Sequence, residues 1–256
     1  MRLRKYYNAF RSNDSLNQAS LKQKIKILIN IIKFLGTNIT KPLIVKNKPV
    51  IAQIEPTSEC NLQCEMCIRK EIGVPIGTMS FENFKKILDK LDCLFKIHLS
   101  GQGEHFLNPE FFRMIEYANK RGITVYFPTN GTCLTKEIIS KIPNLNIGEI
   151  AISIDSTKKE TYEKIRKGAK FEKVLENIKN LVDETKKTKK RTLVSISTVI
   201  LKENIYEISE FVLLAKNLGI KKIGFQTMQE KEDYLEKYNS KAKSQAISSM
   251  NEKLME

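Results

Sequence analysis

The sequence predicts an α/β fold, an open partial (β/α)6 barrel of parallel strands (TIM-barrel-like) with an N-terminal helical extension. From Val50 onward, short β-branched runs alternate with longer helical patterns, which is typical of a parallel sheet with helices outside it. Some runs, such as 150–154, are almost continuously apolar, as in strands buried on both faces. About 180 residues lie between Val50 and Met228. Eight βα units need ~250 residues, so six units fit this length and eight do not.

The elements follow from periodicity and from residues that start or stop helices. Strands are predicted at residues 50–55, 94–99, 123–127, 149–154, 192–201 and 221–226. Helices are predicted at 81–91, 110–120, 136–142, 171–186 and 206–218. Ser80 suits an N-cap, Pro143 stops the third of these helices, and Gly219 ends the fifth.

Three regions are predicted along the chain. Residues 1–48 form a basic helical extension, residues 49–229 form the barrel, and residues 230–256 form a helical tail. The apolar segment 25–35 is interrupted by Lys26, Asn30 and Lys33 and is too short to span a membrane. No small-residue cleavage site follows Leu35, so a signal peptide is not favoured. We expect an amphipathic helix packed on the domain, with a membrane-surface helix as the alternative, and a cytoplasmic location.

The charge and the cysteines restrict the class of protein. A formal charge of +15 is compatible with nucleic acid, a membrane surface or an acidic substrate, and equally with a Lys-rich base composition. Five cysteines give no even, regularly spaced disulfide framework. Three of them fall within eight residues, which indicates a metal site in a reducing compartment. Cys93 and Cys133 stand alone and are predicted to be small buried residues.

The cysteine motif is Cys60-x3-Cys64-x2-Cys67, directly after the first predicted strand. Parallel βα barrels build their active sites at this end of their strands. Three thiolates satisfy three irons of a [4Fe–4S] cube and leave the fourth iron open to a substrate. Structural zinc is the competing hypothesis, but it takes four ligands. Neither of the two histidines, His98 and His105, is close to the motif in sequence.

Three further strand ends carry polar or glycine-rich segments. The second is followed by Gly101-Gln102-Gly103-Glu104, where the glycines allow close backbone approach to a ligand and the carboxylate suits an ammonium group. The third is followed by an Asn130-Gly131 turn. Near the end of the fourth, strand alternation places Ser153 and Asp155 on one face, where they suit ribose hydroxyls or a carboxylate.

Together these motifs resemble the radical SAM superfamily over about 180 residues. The resemblance implies a [4Fe–4S] cluster held by Cys60, Cys64 and Cys67. It also implies that S-adenosylmethionine (SAM) chelates the open iron, is cleaved reductively to a 5′-deoxyadenosyl radical, and receives its electron from a donor such as flavodoxin or ferredoxin. In place of the family's usual aromatic, Met66 precedes the third cysteine, and His105 replaces a proline after the glycine-rich segment.

The resemblance also implies residues that contact SAM. They are Met66, Gly101, Gln102, Gly103, Glu104, Asn130, Ser153, Asp155 and Arg166. The segment from Ser153 through Tyr162 and Arg166 is similar to the branch containing molybdenum-cofactor protein A and the SPASM enzymes. In that branch an arginine of this region can meet the carboxylate of SAM. His105 is expected to be a hydrogen-bonded loop residue, or else a group on the substrate side.

The substrate stays open at this point, with a peptide, a nucleoside or a cofactor precursor all compatible. The basic charge favours an acidic or nucleic-acid-bearing partner. The sequence has no cysteine after Cys133, so it offers no ligands for an auxiliary cluster there. Two other classes remain: an iron–sulfur scaffold or partner subunit without turnover, and a zinc-stabilised binding module.

Overall fold

A computed structural model describes residues 21–67, 69, 73, 75–188 and 192–227 of the chain. The predicted helical tail at 230–256 and the basic residues 1–20 lie outside the described residues. The three predicted region boundaries therefore stay predictions.

Six strands form one parallel sheet in the order β1-β2-β3-β4-β5-β6, as predicted. The strands are β1 (Ile51–Ile54), β2 (Lys96–Leu99), β3 (Thr124–Thr129), β4 (Ile147–Ser153), β5 (Leu193–Ile200) and β6 (Ile223–Thr227). Because each strand pairs in parallel with the next one along the chain, all carboxyl ends meet at one edge of the sheet. The loops that leave this edge are the ones predicted to carry the site.

One helix precedes β1, and the others connect the strands. They are α1 (Leu21–Thr40), α2 (Phe81–Lys90), α3 (Phe111–Lys120), α4 (Lys136–Lys141), α5 (Lys159–Ile165), α6 (Phe171–Lys186) and α7 (Ile208–Leu218). Ser80 caps α2 through its hydroxyl, and Gly219 ends α7 with a left-handed φ of 71°, as predicted. Helix α5 was not predicted, because two buried residues in seven positions, Tyr162 and Ile165, give no recognisable period.

The two faces of the sheet differ in polarity. The face that packs on the helices is apolar and buried, with Phe127, Ile150 and Ile196 at its centre. The opposite face carries polar side chains such as Glu149, and its residues are mostly half-buried. Burial on both faces was predicted for 150–154. That prediction is wrong for this second face, the inner face of the partial barrel, because Ala151 and Ser153 are half-buried. An open partial barrel encloses its inner face less completely than a closed one, so polar side chains there keep contact with water.

Helix α1 packs on the amino-terminal side of the first two strands. Ile27 is fully buried against Phe95, with Ile31, Val50 and Ile51 around them. Asn30 anchors the following segment, since its amide donates to the Lys48 carbonyl at 2.8 Å and accepts from the Lys48 N–H at 2.7 Å. In the described part of the chain, no helix has the length and apolar character needed to cross a bilayer.

Candidate functional site

The cysteine loop, residues 55–67, crosses the carboxyl edge of the sheet directly after β1. Cys60, Cys64 and Cys67 are half-buried and free, and the Cys67 N–H donates to the Cys64 carbonyl at 3.2 Å. At the base of the loop, Met79 N–H donates to the Pro56 carbonyl at 2.9 Å. The Asn108 amide donates to the same carbonyl at 2.9 Å, a buried contact that no local sequence pattern indicates.

The second half of the cysteine loop is held by the turn that follows α5. Gln63 N–H donates to the Lys167 carbonyl and Glu65 N–H donates to the Ile165 carbonyl, each at 2.9 Å. Two separate backbone attachments therefore fix the loop, one near β1 and one at the turn that contains Arg166.

The Gly101–Glu104 segment packs against the cysteine loop. The Gln102 N–H donates to the Glu55 carboxylate, and the Glu104 N–H donates to the Glu59 carbonyl at 2.7 Å. A Cβ on Gly103 would lie 2.2 Å from the Thr57 carbonyl oxygen and 2.5 Å from that of Glu59. Sequence reasoning assigned the close approach to a ligand, whereas the structure shows an approach to the protein's own backbone. Gln102 itself is exposed.

Glu104 is buried and fixed by the residues that end β3. Its carboxylate accepts from the Thr129 hydroxyl at 2.8 Å and from the Asn130 N–H at 2.7 Å. Burial raises the pKa of Glu104, and the hydrogen bonds from Asn130 and Thr129 act in the opposite direction. The carboxylate is thus held in one orientation, and each of its oxygens retains capacity for a further donor.

Asn130 connects β3 to the first cysteine. Its side-chain amide donates to the side-chain oxygen Oδ1 of Asn61 at 2.9 Å and lies 4.0 Å from the Cys60 sulfur. The Asn61 amide in turn donates to the Thr132 hydroxyl at 2.8 Å. The Asn130-Gly131 turn is present as predicted, with a φ of 77° at Gly131. Asn61 was missed because a polar residue inside a cysteine loop carries no sequence signal of its own.

Asp155 and Arg166 form a buried ion pair beside Cys64, with 2.6 Å between Nη2 and the carboxylate. Asp155 also accepts from the Val199 N–H at 2.8 Å. Burial lowers the pKa of Arg166, but the negative groups around it, Asp155 first, outweigh burial and raise it overall. Burial raises the pKa of the Cys64 thiol to about 11, while the Arg166 charge favours its thiolate.

The remaining predicted residues lie at the same edge. Met66 is half-buried at the tip of the cysteine loop. Ser153 is half-buried and pairs in register with Ser197 of β5, whereas Asp155 is fully buried. All nine predicted SAM-contacting residues therefore lie in the loops or strand ends at this edge, and their contact with a cofactor stays a prediction.

A family comparison decides the class of protein. Residues 54–215 match the family model for the Radical SAM superfamily. This chain belongs to the radical SAM superfamily. Members use a [4Fe–4S] cluster and SAM, and the named relatives are enzymes. The match begins at the last residue of β1 and covers β2–β5 and every loop of the site.

Relatives of this radical SAM chain include two curated proteins. AdoMet-dependent heme synthase of Methanosarcina barkeri is 33% identical over 178 residues, 68% of this chain and 49% of that protein. Mycofactocin maturase MftC of Mycobacterium tuberculosis is 28% identical over 173 residues, 67% of this chain and 43% of that protein. The chain thus spans about half the length of the curated relatives it matches.

A solved structure shares the fold. Streptococcus suis SuiB bound to precursor peptide SuiA superposes with a TM-score of 0.65 at 16% identity, covering 86% of this chain and 48% of that one. A second SuiB structure, bound to S-adenosylmethionine, gives a TM-score of 0.64. At this identity the likeness supports the partial-barrel fold alone.

The structure also shows the environments of the two isolated cysteines and of His105. Cys93 is buried as predicted. Cys133 is only half-buried, and it is close enough to Glu104 and Cys60 to interact with their charges. His105 is 1% exposed and packs on Phe111, with ring centroids 5.7 Å apart. Neither of its ring nitrogens has a hydrogen-bond partner among the described residues, so the expected hydrogen-bonded loop histidine is wrong. Burial lowers the pKa of His105 to about 4, and the ring is neutral at pH 7.

Proposed function

We propose that Cys60, Cys64 and Cys67 ligate a [4Fe–4S] cluster and that the chain cleaves SAM reductively. The observation that carries the proposal is three free, half-buried thiols on one loop across the carboxyl edge of the sheet. When bound, the reduced cluster supplies the electron that splits SAM into methionine and a 5′-deoxyadenosyl radical, which abstracts a hydrogen atom from the substrate.

The donor set suits such a group. Thiolates are the soft ligands that iron–sulfur clusters take. No three His, Cys, Asp or Glu side chains converge on one ion within the described ranges, and cluster ligands bond to separate irons rather than to one centre. Beside Cys64, the Arg166 Nε and the Tyr162 hydroxyl are buried without a hydrogen-bond partner in the part of the chain described. A bound group that brings acceptors here would satisfy both donors.

Glu104 and Arg166 then orient the cofactor and balance the charges at the site. Glu104, fixed by Thr129 and Asn130, presents spare acceptor capacity for an ammonium group. The positive charge of Arg166 favours the thiolate of Cys64, which has to lose its proton before it ligates. The proposed set of SAM contacts also includes Met66, Gly101, Gln102, Gly103, Asn130, Ser153 and Asp155.

The substrate is proposed to be a peptide or a cofactor precursor. The relatives include a heme synthase and a maturase, and a structural neighbour is bound to a precursor peptide. Because five free thiols suit a reducing compartment, we propose a cytoplasmic location and an electron donor of the flavodoxin or ferredoxin type.

The test is anaerobic reconstitution with iron and sulfide, reduction, addition of SAM and assay of 5′-deoxyadenosine. We expect a brown protein that forms the product, and loss of both cluster absorbance and product in Cys64→Ala. Cys93→Ala is the matched control, since Cys93 lies away from the loop and should keep both. Product formation that persists in Cys64→Ala contradicts the ligand assignment. A brown protein that forms no 5′-deoxyadenosine supports the iron–sulfur scaffold or partner subunit without turnover. A colourless protein that holds zinc supports the zinc-stabilised binding module.

A further inference from the structure

The outward side of α1 is apolar over its whole length. Of the seventeen large hydrophobic side chains that are exposed among the described residues, ten lie between 21 and 45. Ile25, Leu28, Ile32 and Ile39 are 49, 54, 60 and 82% exposed. At 100° per residue these four positions fall within about 60° of one another on the helix. The buried Ile27 faces away from this stripe, so α1 has one apolar face packed on the sheet and a second one that no described residue covers.

The exposed stripe continues past the helix and is surrounded by positive charge. Leu43 and Ile44 are 105 and 81% exposed. Residues 21–48 contain seven lysines and neither aspartate nor glutamate. The first 48 residues contain eleven lysines and arginines against one aspartate, which is most of the chain's net charge of +15. The strongly basic segment 21–48 therefore coincides with most of the exposed large hydrophobic side chains among the described residues.

A basic cleft lies next to the stripe. It has a volume of about 210 Å³ and is bordered by four lysines, Lys26, Lys33, Lys46 and Lys48, by Ile29 and Asn30, and by Asp92 and Cys93. Asp92 pairs with Lys48 at 2.7 Å and with Lys26 at 3.2 Å. Neither Lys33 nor Lys46 has an acidic partner in the described ranges. The cleft therefore carries an excess of positive charge beside an apolar border at Ile29, which suits an anionic group attached to a hydrocarbon chain.

We propose that α1 docks the protein on a membrane surface that contains anionic phospholipids. The apolar stripe enters the boundary between headgroups and acyl chains, and the lysines that flank it contact lipid phosphates. A second copy of this helix is a poor occupant, because it would place four lysines against four. A nucleic acid would use the lysines but would leave the apolar stripe uncovered.

The placement of α1 is compatible with catalysis at a membrane. The helix packs near Val50 and Phe95, which precede β1 and β2, whereas the cysteine loop leaves the opposite edge of the sheet. Docking through α1 therefore leaves the carboxyl edge open to cofactor and substrate.

The test is co-sedimentation of the full-length, cluster-loaded protein with vesicles of phosphatidylcholine, with and without phosphatidylglycerol. We expect binding about tenfold or more tighter on the anionic vesicles, and weaker in high salt. The triple variant Ile25→Ser, Leu28→Ser, Ile32→Ser should lower vesicle affinity about tenfold or more. Lys33→Gln with Lys46→Gln should lower it several-fold on anionic vesicles only.

The matched control is Val212→Ser with Leu213→Ser on α7, where the two side chains are 55 and 61% exposed. This control should bind vesicles like the unmodified chain. Urea unfolding verifies that each variant is folded. Absence of vesicle binding, equal binding to neutral vesicles, or unchanged binding of the triple variant overturns the proposal. A stripe variant that turns a dimer into a monomer without affecting vesicles, or a lysine variant that loses only RNA binding, assigns the surface to another partner and also overturns it.

Discussion

Asp155 and Arg166 are opposite charges that the fold buries beside Cys64. Arg166 needs the carboxylate because a guanidinium without a counter-ion is costly in a buried position. Asp155 is held in turn by the Val199 N–H, so the pair has a fixed geometry. Because the ion pair lies next to the cysteine loop, loss of the pair should also disturb the candidate site.

The first residue-scale prediction concerns this pair. Asp155→Asn keeps the shape and the acceptor for Val199 but leaves Arg166 without its counter-charge. We expect a loss of about 3–5 kcal/mol in the free energy of unfolding, measured by urea denaturation. Glu176→Gln is the comparison, because it breaks the exposed Lys173–Glu176 pair, which water screens, and should have little effect on the free energy of unfolding. Equal effects of the two substitutions would contradict the importance of the buried pair.

His105 gives a pH-dependent prediction. Its folded pKa of about 4 lies below the unfolded value of ~6.5, so the unfolded chain binds more protons between these two values. The contribution of His105 to stability is therefore complete above pH 6.5 and declines as the pH falls toward 4. His105→Phe removes this dependence, and the unmodified chain should lose about 2 kcal/mol relative to the variant between pH 7 and pH 5. Urea denaturation at both pH values measures it, and a constant difference would argue against a buried neutral ring.

At the scale of elements, the cysteine loop and the glycine-rich segment after β2 act as one unit. The Glu59 carbonyl accepts from the Glu104 N–H, and Gly103 leaves no room for a side chain between the two segments. Because the obstacle to a Cβ is backbone rather than a flexible side chain, the segments would have to separate to admit one.

Gly103→Ala is therefore expected to displace the cysteine loop. We predict iron content after reconstitution reduced severalfold, measured by metal analysis and cluster absorbance, together with a loss of about 1–3 kcal/mol in unfolding free energy. Gly77→Ala is the matched control, since Gly77 also borders the loop but a Cβ there meets no atom within 4 Å. Iron loading that stays normal in Gly103→Ala would show that the loop tolerates separation.

For the whole molecule, the sequence predicted the architecture better than the connections within the site. The order of the strands was predictable from the alternation of strand and helix patterns and from the chain length, because each buried strand is marked by its own apolar run. The cysteine spacing and strand-end motifs likewise located the edge. The partners of Glu104 and Asp155 were not predictable, because each depends on which loops meet across the sheet, and no local pattern encodes that. The polar inner face was missed for the same reason, since barrel openness is a property of the complete fold.

These connections support the cysteine loop from two sides. On one side, Glu104 links the segment after β2 to Asn130, whose amide reaches Cys60. On the other side, Asp155 holds Arg166, and the neighbours of Arg166 accept from the loop's backbone. Asn204 extends this second support to the end of β5, because its amide donates to the Asp155 carbonyl at 2.8 Å.

Asn204→Ala tests whether this distant support matters for the site. Asn204 is fully buried and also bonds the Val199 carbonyl and the Leu201 N–H, so the substitution should cost about 1–3 kcal/mol in unfolding free energy. Asn119→Ala is the matched control, because Asn119 also makes three side-chain hydrogen bonds, to the backbone of Ile123 and Asn146, but at the amino edge. Both variants should lose stability. Only Asn204→Ala should also lose iron loading per folded molecule, since only its hydrogen bonds lead through Asp155 and Arg166 to the cysteine loop. Equal iron content in the two variants would mean that the loop is held from the Glu104 side alone.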